Sequence, residues 1–409
     1  MSTNRDHQLE TLSRWRAIEA RTRDRSAQAQ ARMTRRGQLL PRERVQRLLD
    51  PGSAFLELST LAGYLQDTPD PDKSIAGGGL ITGIGKVSGT WVMLVADDAG
   101  IDAGALQPIG LEKFQRAQHI ALENRLPFVH LVESAGANLL QYKVEQFIQG
   151  GANFYKLARL SAAGIPVIAV VHGPSTAGGA YMTGLSDYVI MVRGRGRAFL
   201  AGPALLQAAT GEVADDESLG GAQMHASTSG LAEYLADDDA HALGLARALI
   251  KALDWSKVTE PVVQVAPPLC DEQDLLDVMP PDWRTPVDMR AVIRHLVDGS
   301  EWMEFKPNYG PASLCVHAAI GGHRVGLISN NGPIDPEGSA KITHFVQACD
   351  QSGLPLVWLQ NTTGFMVGKD SEQAGMIKHG SKQIQALSNA RVPQITIQCG
   401  ASFGAGNYG

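Results

Sequence analysis

Cysteine is scarce and scattered in this chain. The 409 residues hold four, Cys270, Cys315, Cys349 and Cys399, and no two of them form a CxxC pair. That spacing argues against a cysteine zinc site and a disulfide framework, and it fits a reducing cytoplasm. A positive surplus is also missing. Lys and Arg number 36 against 42 Asp and Glu, for a net charge of −6, whereas nucleic-acid binders carry a clear basic excess. The basic residues that do bunch are Arg21, Arg23, Arg25, Arg32, Arg35 and Arg36. They read first as a solvated helix face and second as a contact for a phosphorylated ligand. Long apolar runs are absent as well. The first 30 residues have no signal-like apolar core, and no stretch reaches 18 consecutive apolar residues. Asp6, Glu10, Glu19 and Asp24 speak against a transit peptide. The expectation is a cytoplasmic protein with neither a leader nor a membrane span.

Catalytic side chains are equally thin. No His, Asp or Glu cluster has metal-ligand spacing. Asp97 and Asp98 end a strand-like run, but Asn330 and Asn331 stand in the corresponding place later in the chain, which favours a structural turn. Arg193, Arg195 and Arg197 alternate with glycine and suit a surface turn before an anion site. Gly400-Ala401-Ser402-Phe403-Gly404 fits the nucleophile-elbow pattern, yet no acid or histidine follows Ser402. Gly404 to Gly409 fits G-x-G-x-x-G, yet no acidic residue follows at the spacing a dinucleotide site needs.

What the chain has is glycine, 44 residues or about 11% against a typical ~7%, and an internal repeat. Leu48–Leu58 pairs with Leu296–Phe305, each a helix end, a glycine turn and a strand. Gly89–Asp98 pairs with Gly322–Asn331, each a buried strand ending in two short polar residues. Leu126–Ser134 pairs with Leu354–Thr362, and Ile165–Tyr181 with Val392–Tyr408. The offsets fall smoothly through 247, 233, 228 and 227, as two copies differing by loop deletions should. Strands alternate with helical stretches at Arg116–Asn124, Phe345–Ser352, Val144–Ala163 and Met376–Asn389, which predicts parallel βαβ units. A proline-rich seam (Pro261, Pro267, Pro268, Pro280, Pro281, Pro286) predicts domains at 1–260 and 261–409. After Tyr181 the first copy continues with a strand at Tyr188–Val192 and a helix at Ala240–Leu253. The second copy has only Gly409 after Tyr408, so a longer full-length chain is expected.

In each copy a buried strand runs into a small-residue turn. These are Gly173–Ala180 and Gly400–Gly406, each with a partner turn after the preceding strand, at Ser134–Asn138 and Thr362–Phe365. Glycine lets backbone approach a ligand closely, and the first amides of a following helix lack internal partners. Two converging amides make an oxyanion hole. Close helix–sheet packing also favours glycine there.

These residues carry a resemblance. Thr176-Ala177-Gly178-Gly179-Ala180-Tyr181 with Phe403-Gly404-Ala405-Gly406-Asn407-Tyr408 resembles the carboxyltransferase (β) subunits of biotin-dependent acyl-CoA carboxylases. So do Arg42-Glu43-Arg44, Ala201-Gly202-Pro203, Ala208–Glu212 and Leu219–Ala222. Asn330-Asn331-Gly332, Thr343–Gln347 and Gln360–Gly368 are very similar to the methylcrotonyl-CoA and geranyl-CoA branch. The likeness runs from about residue 38 to 409. It implies an α/β fold of two tandem crotonase-like (ClpP/crotonase) ββα-superhelix domains, the second incomplete at Gly409.

The N-terminal domain of such a protein holds acyl-CoA, and the C-terminal one holds carboxybiotin on a partner's carrier domain. The site forms between subunits, usually in a hexamer. The implied cofactors are biotin and, as substrate carrier, coenzyme A, with no metal in this subunit. The implied partners are a biotin carboxylase/biotin carrier α subunit, an acyl-CoA and further copies of the chain, with no nucleic acid or membrane. Carried over, Gly178 and Gly179 with Gly136, Ala137, Ala177 and Ala180 face the acyl-CoA and its enolate. Ala405 and Gly406 with Gly364, Phe365 and Gly404 face biotin. Substrate deprotonation falls to biotin itself, which accounts for the lack of a side-chain base. Gly173-Pro174-Ser175, Asp102–Gln107 and a short Leu139–Gly151 depart from the methylcrotonyl pattern and leave the acyl group open. The rival readings are a crotonase-type hydratase or isomerase, which needs Glu133 or Glu145 as its acid or base, and a non-catalytic scaffold.

Overall fold

The computed structural model describes residues 4–137, 142–253, 255, 265–282 and 284–408. Asn138, Leu139, Pro261 and Gly409 lie outside the described residues, and so does the expected boundary at 260/261. The chain divides into an N-terminal unit, Arg14–Thr259, and a C-terminal unit that joins Met1–Ser13 to Glu260–Gly409. In the latter, Arg5 pairs with Asp277 at 2.6 Å and Gln8 donates to the Met279 carbonyl at 3.2 Å.

The N-terminal unit is built on eight strands: β1 (Phe55–Leu58), β2 (Leu80–Val87), β3 (Thr90–Asp97), β4 (Phe128–Ser134), β5 (Val167–Thr176), β6 (Tyr188–Val192), β7 (Arg197–Phe199) and β8 (Tyr234–Ala236). The order is β1-β2-β3-β4-β5-β6-β8, with β7 paired to β5. β2 runs antiparallel to both β1 and β3; from β3 onward the strands are parallel. Parallel strands are covered on both faces, so they read as continuous apolar runs rather than alternations. Val92–Val95 and Phe128–Leu131 are accordingly buried. The helix Pro108–Asn124 covers one face through Phe114, Ala117 and Ala121, with the Phe114 ring edge-on to Phe128 at 5.5 Å. Helix Asp239–Ala252 covers the other through Ala242, Leu243, Ala246 and Ile250.

The C-terminal unit repeats the plan with five strands: β9 (Trp302–Glu304), β10 (Ser313–Ile320), β11 (His323–Asn330), β12 (Leu356–Thr362) and β13 (Gln394–Ser402), in the order β13-β12-β11-β10-β9. Direction and register repeat as well. Met93 pairs with Phe128 and Phe128 with Val167; in the second copy Gly326 pairs with Leu356 and Leu356 with Gln394. These are the offsets of 233, 228 and 227 that the sequence carries. Helix Pro336–Ser352 covers this sheet through Ile342, Phe345, Val346 and Cys349. It opens on a proline behind the capping Asp335 and stops at Gly353 in the left-handed region. The crossover expected over Val144–Ala163 is two helices, Val144–Gly150 and Ala152–Ala162, broken at Gly151. The helix Met376–Asn389 has the expected bounds.

A network of buried ions lies under the end of the N-terminal sheet. The Arg44 guanidinium sits 2.5 Å from Glu133 and 3.0 Å from Asp239, and His172 Nδ1 lies 3.0 Å from Asp239. Burial, reinforced by the Arg44 charge, pushes the His172 imidazole below its ordinary pKa, with Asp239 and Glu133 opposing. Burial alone would raise the Asp239 carboxyl, but its hydrogen bond to His172 and the Arg44 charge hold it far below the usual range. Both groups therefore bind fewer protons folded than unfolded, and stability falls as pH drops. The His172 contribution is lost below about 6.5 and that of Asp239 below about 4. We expect the denaturant midpoint of the N-terminal unit to decline between about pH 7 and about pH 5, and His172→Asn to flatten that decline. An identical slope in the variant would remove His172 from the explanation.

Candidate active site

At the ends of β4 and β5 the regular register breaks. Val132 still pairs with Val171, but the next pair is Ser134 with Ser175. The chain then turns through Ala135 and Gly136, whose φ of +91° favours glycine. The Ser134 hydroxyl donates to the Gly104 carbonyl at 2.7 Å and accepts the Gly136 amide at 3.1 Å. The Gly136 carbonyl accepts the Leu106 amide at 2.9 Å. The turn is thus pinned on both sides of Gly136. The next amide, that of Ala137, has no acceptor among the described residues.

Beside it, β5 leads through Ala177 into the short helix Gly178–Gly184. Ala177 has φ 51° and ψ −117°, a region L-residues avoid. Such a conformation costs about 1–3 kcal/mol and persists where surroundings impose it. Here the Ala177 amide is held by the Phe199 carbonyl on β7 at 3.0 Å. The twist leaves the Gly178 and Gly179 amides without acceptors among the described residues. A Cβ on Gly136 would stand 3.2 Å from the Thr176 hydroxyl, so the two turns are adjacent. The Ala180 amide is used inside the turn on the Ala177 carbonyl, and its methyl packs on the Val132–Val171 cluster. The Phe154 ring lies against Gly178, and the Tyr181 ring packs on Phe154 at 6.2 Å between centroids. A cavity of about 170 Å³, lined by Ala103, Glu133, Ala135, Pro174, Arg32 and Arg36, opens against the Ser134–Ala137 turn.

The C-terminal unit repeats two bonds of the hydroxyl-pinned turn, while the Thr362 hydroxyl lies 3.4 Å from the Gly364 carbonyl of its own turn instead of reaching a distant one. The register breaks between Gln360 and Thr362, and Thr362 pairs with Ser402. The Gly364 amide donates to the Thr362 hydroxyl at 3.1 Å, and the Gly364 carbonyl accepts the Ile334 amide at 3.0 Å. The Phe365 ring packs into the core while its amide has no acceptor among the described residues. Gly404, at φ +54°, opens the turn Gly404–Asn407 that also holds Ala405. A Cβ on Gly406 would meet the Gly364 Cα at 2.5 Å, so the two turns touch through backbone. A cavity of about 130 Å³ adjoins Gly406, with Trp358, Thr362, Asn407 and Tyr408 in its wall. Two backbone turns this close, with the Phe365 amide free and room beside them, fit a planar ureido group presenting one carbonyl oxygen.

The other sequence candidates have structural duties. Glu133 is 6% exposed and held by Arg44 and by Gln38 at 2.7 Å. Glu145 is exposed on its helix. Asp97 accepts the Glu133 amide, and Asp98 the Ser26 hydroxyl. Asn331 joins Met289 to Asp288. Ser402 is hydrogen bonded to Asn407 at 2.5 Å. Arg193, Arg195 and Arg197 face Asp237, Asp239 and Asp216. In the N-terminal cluster, Arg21 donates to the Pro71 and Ser74 carbonyls and Arg32 to that of Ala99. Among the described residues no three His, Cys, Asp or Glu could hold a metal ion, and no helix is long and apolar enough to cross a membrane. Sequence reading missed the hydroxyls of Ser134 and Thr362. The available signal was a hydroxyl residue two places before each turn glycine, in both copies.

Residues 32–409 match the model of the carboxyl transferase domain. The chain is 45% identical over 387 residues to the biotin-dependent 3-methylcrotonyl-coenzyme A carboxylase beta1 subunit of Mycobacterium tuberculosis, covering 93% of this chain and 72% of that one. It matches the crystal structure of the β subunit of P. aeruginosa geranyl-CoA carboxylase with a TM-score of 0.92 and 49% identity, over 99% of this chain and 76% of the other. A more distant likeness, with a TM-score of 0.51 and 29% identity, joins 98% of this chain to 79% of transcarboxylase 12S, a hexamer crystallised with methylmalonyl-coenzyme A. With the paired crotonase-like turns and a family match over nearly its whole length, this chain belongs to the carboxyl transferase family, that of the β subunits of biotin-dependent acyl-CoA carboxylases.

Proposed function

We propose that the chain is the carboxyltransferase subunit of a biotin-dependent acyl-CoA carboxylase, working with a biotin-carrying α subunit and further copies of itself. The observation that carries this is the twinned turn: each copy ties the glycine amide to a hydroxyl and keeps the next amide free. In the N-terminal unit the amides of Ala137, Gly178 and Gly179 hold the thioester oxygen of an acyl-CoA and stabilise its enolate. Donors already aimed at developing charge contribute strongly to catalysis, because they need no reorganisation when the charge appears. Arg32 and Arg36, at the rim of the cavity behind Ala135, offer cations to the phosphates of coenzyme A. In the C-terminal unit the free Phe365 amide holds the ureido oxygen, and the facing turn that carries Ala405 and Gly406 orients it. Biotin, when bound, supplies the carboxyl group and takes the substrate proton. No side-chain base is then required. That disfavours a hydratase or isomerase, since Glu133 is locked in its ion network and Glu145 faces solvent.

The direct test is ATP-dependent fixation of labelled bicarbonate by this chain with its cognate biotinylated α subunit, across acyl-CoAs that include branched unsaturated ones. Label should enter at least one; none with any acyl-CoA would refute the assignment.

Two substitutions address the turns. A Cβ on Gly178 meets only the Phe154 ring, at 3.4 Å, so the fold has room for it. We expect Gly178→Val to crowd the amide and lower transfer at least about 100-fold while the melting temperature stays close to that of the parent. An unchanged rate would refute the role of these amides.

A Cβ on Gly406 collides with backbone instead. Gly406→Ala should push the two C-terminal turns apart and abolish transfer to acyl-CoA, with carboxylation of biotin by the α subunit intact. Transfer at the parental rate would show that the close approach is not needed.

A further inference from the structure

Arg44 is 1% exposed, yet it belongs to neither set of free amides. Its helix, Pro41–Leu48, brings it to the ends of the two strands that carry the N-terminal turns. On one side it grips Glu133, the residue before Ser134 on β4, at 2.5 Å. On the other it grips Asp239 at 3.0 Å, and Asp239 holds His172 of β5 at 3.0 Å, six residues before Gly178. Gln38 donates to Glu133 at 2.7 Å, the Leu39 amide donates to Asp239 at 2.8 Å, and Arg195 lies 3.8 Å from Asp239. Glycines seat the Glu133 residue tightly. A Cβ on Gly173 would meet its Cγ at 2.5 Å, and one on Gly104 its carbonyl oxygen at 2.2 Å.

The second copy achieves the same turn without ions. Asn361 occupies the place of Glu133, accepting the Ala401 amide at 3.0 Å and donating to the Asn330 carbonyl at 3.2 Å. Gly400 packs on it as Gly173 packs on Glu133, with a Cβ 2.3 Å from its Oδ1. The fold alone therefore does not demand a buried carboxylate there. Burying charges costs several kcal/mol per ion even when they are paired, so the ions of the N-terminal copy require another reason.

We propose that Arg44 is a positioning residue for the acyl-side reaction. It locks the ends of β4 and β5 in the one register that aims the Ala137, Gly178 and Gly179 amides at a common oxygen. This rests on the carboxyl-transfer reading above. Within this network two cations, Arg44 and Arg195, face two anions, Glu133 and Asp239. Lysine is not equivalent to the arginine, because its compact ammonium lacks the rigid planar fork that holds two carboxylates in a fixed geometry.

The test compares Glu133→Gln, Arg44→Lys, Gly178→Val and Arg247→Gln, each with the biotinylated α subunit in bicarbonate fixation. Arg247 pairs with Asp50 at the opposite end of the sheet and serves as the control for a lost ion pair. Misaimed amides lose transition-state stabilisation rather than substrate binding. Glu133→Gln and Arg44→Lys should therefore lower kcat about 10- to 100-fold, with KM for acyl-CoA within about threefold, well below their melting temperatures. Arg247→Gln should lower the melting temperature with kcat unchanged. If Arg44→Lys fails to fold, Glu133→Gln, which keeps the side-chain shape, carries the same expectation. Parental kcat in Glu133→Gln alongside an inactive Gly178→Val would overturn the positioning role alone. An active Gly178→Val would overturn the amide reading and the positioning role with it.

Discussion

The structure turns on a register break between two parallel strands. Along a regular parallel ladder every amide is bonded to its neighbour. Where Val132 and Val171 give way to Ser134 and Ser175, the ladder can no longer serve both strands. The Ser134 hydroxyl steps in for the missing ladder partner and takes the Gly136 amide. The next amide is left over. A buried backbone N–H without a partner is expensive; Ala137 is exposed, so water or a ligand can complete its amide, and on the proposed reading that partner is the substrate oxygen. The strained Ala177 serves the same end from the other strand.

The second copy separates what this device requires from what surrounds it. Thr362 replaces Ser134 and Ile334 replaces Leu106, with hydrogen bonds of the same length within 0.1 Å. The hydroxyl, the turn glycine and the pinned carbonyl are common to both copies. The buried charges are not: Asn361 stands for Glu133 and Cys399 for His172. The geometry of the turn is a property of the fold. Its electrostatic setting is a property of each copy, and the neutral ion network is the particular solution of the N-terminal one.

The repeat made most of the architecture legible. Offsets of 233, 228 and 227 in the sequence return as ladder pairs, because residues that align between copies hold the same place in each sheet. The glycine turns were legible for the same reason. Three features were not. Ala177 adopts a backbone conformation that sequence assigns to glycine, since β7, further along the chain, imposes it. The division of labour between the Gly136 and Ala137 amides depends on a hydroxyl whose partner, Gly104, lies 30 residues away. Arg44 reads as one more basic residue on a helix, and only the fold brings it to Asp239, 195 residues distant. Local pattern marks where backbone can approach a ligand; which donor remains free is decided by long-range partners.

A site made of amides has a consequence for specificity. Backbone N–H groups recognise an oxygen bearing negative charge and little else, so the same turn can serve a thioester enolate in one unit and a ureido group in the other. Selection must come from what flanks the turns, and there the copies diverge. Phe154 stands beside Gly178, with Tyr181 packed on it. Trp358, Asn407 and Tyr408 stand beside Gly406, with the Trp358 indole fixed by Gln394 at 3.2 Å. Aromatic walls add area without adding charge, which leaves the amides as the dominant electrostatic feature of each hole. On the proposed reading, changes of substrate within this family are made in these walls and in the Val144–Gly150 helix, whose Val144 and Ile148 are 71% and 70% exposed beside the acyl side. On the same reading the turns themselves have little freedom to vary, because the Gly136 and Gly364 amides and carbonyls are already committed to partners within the fold.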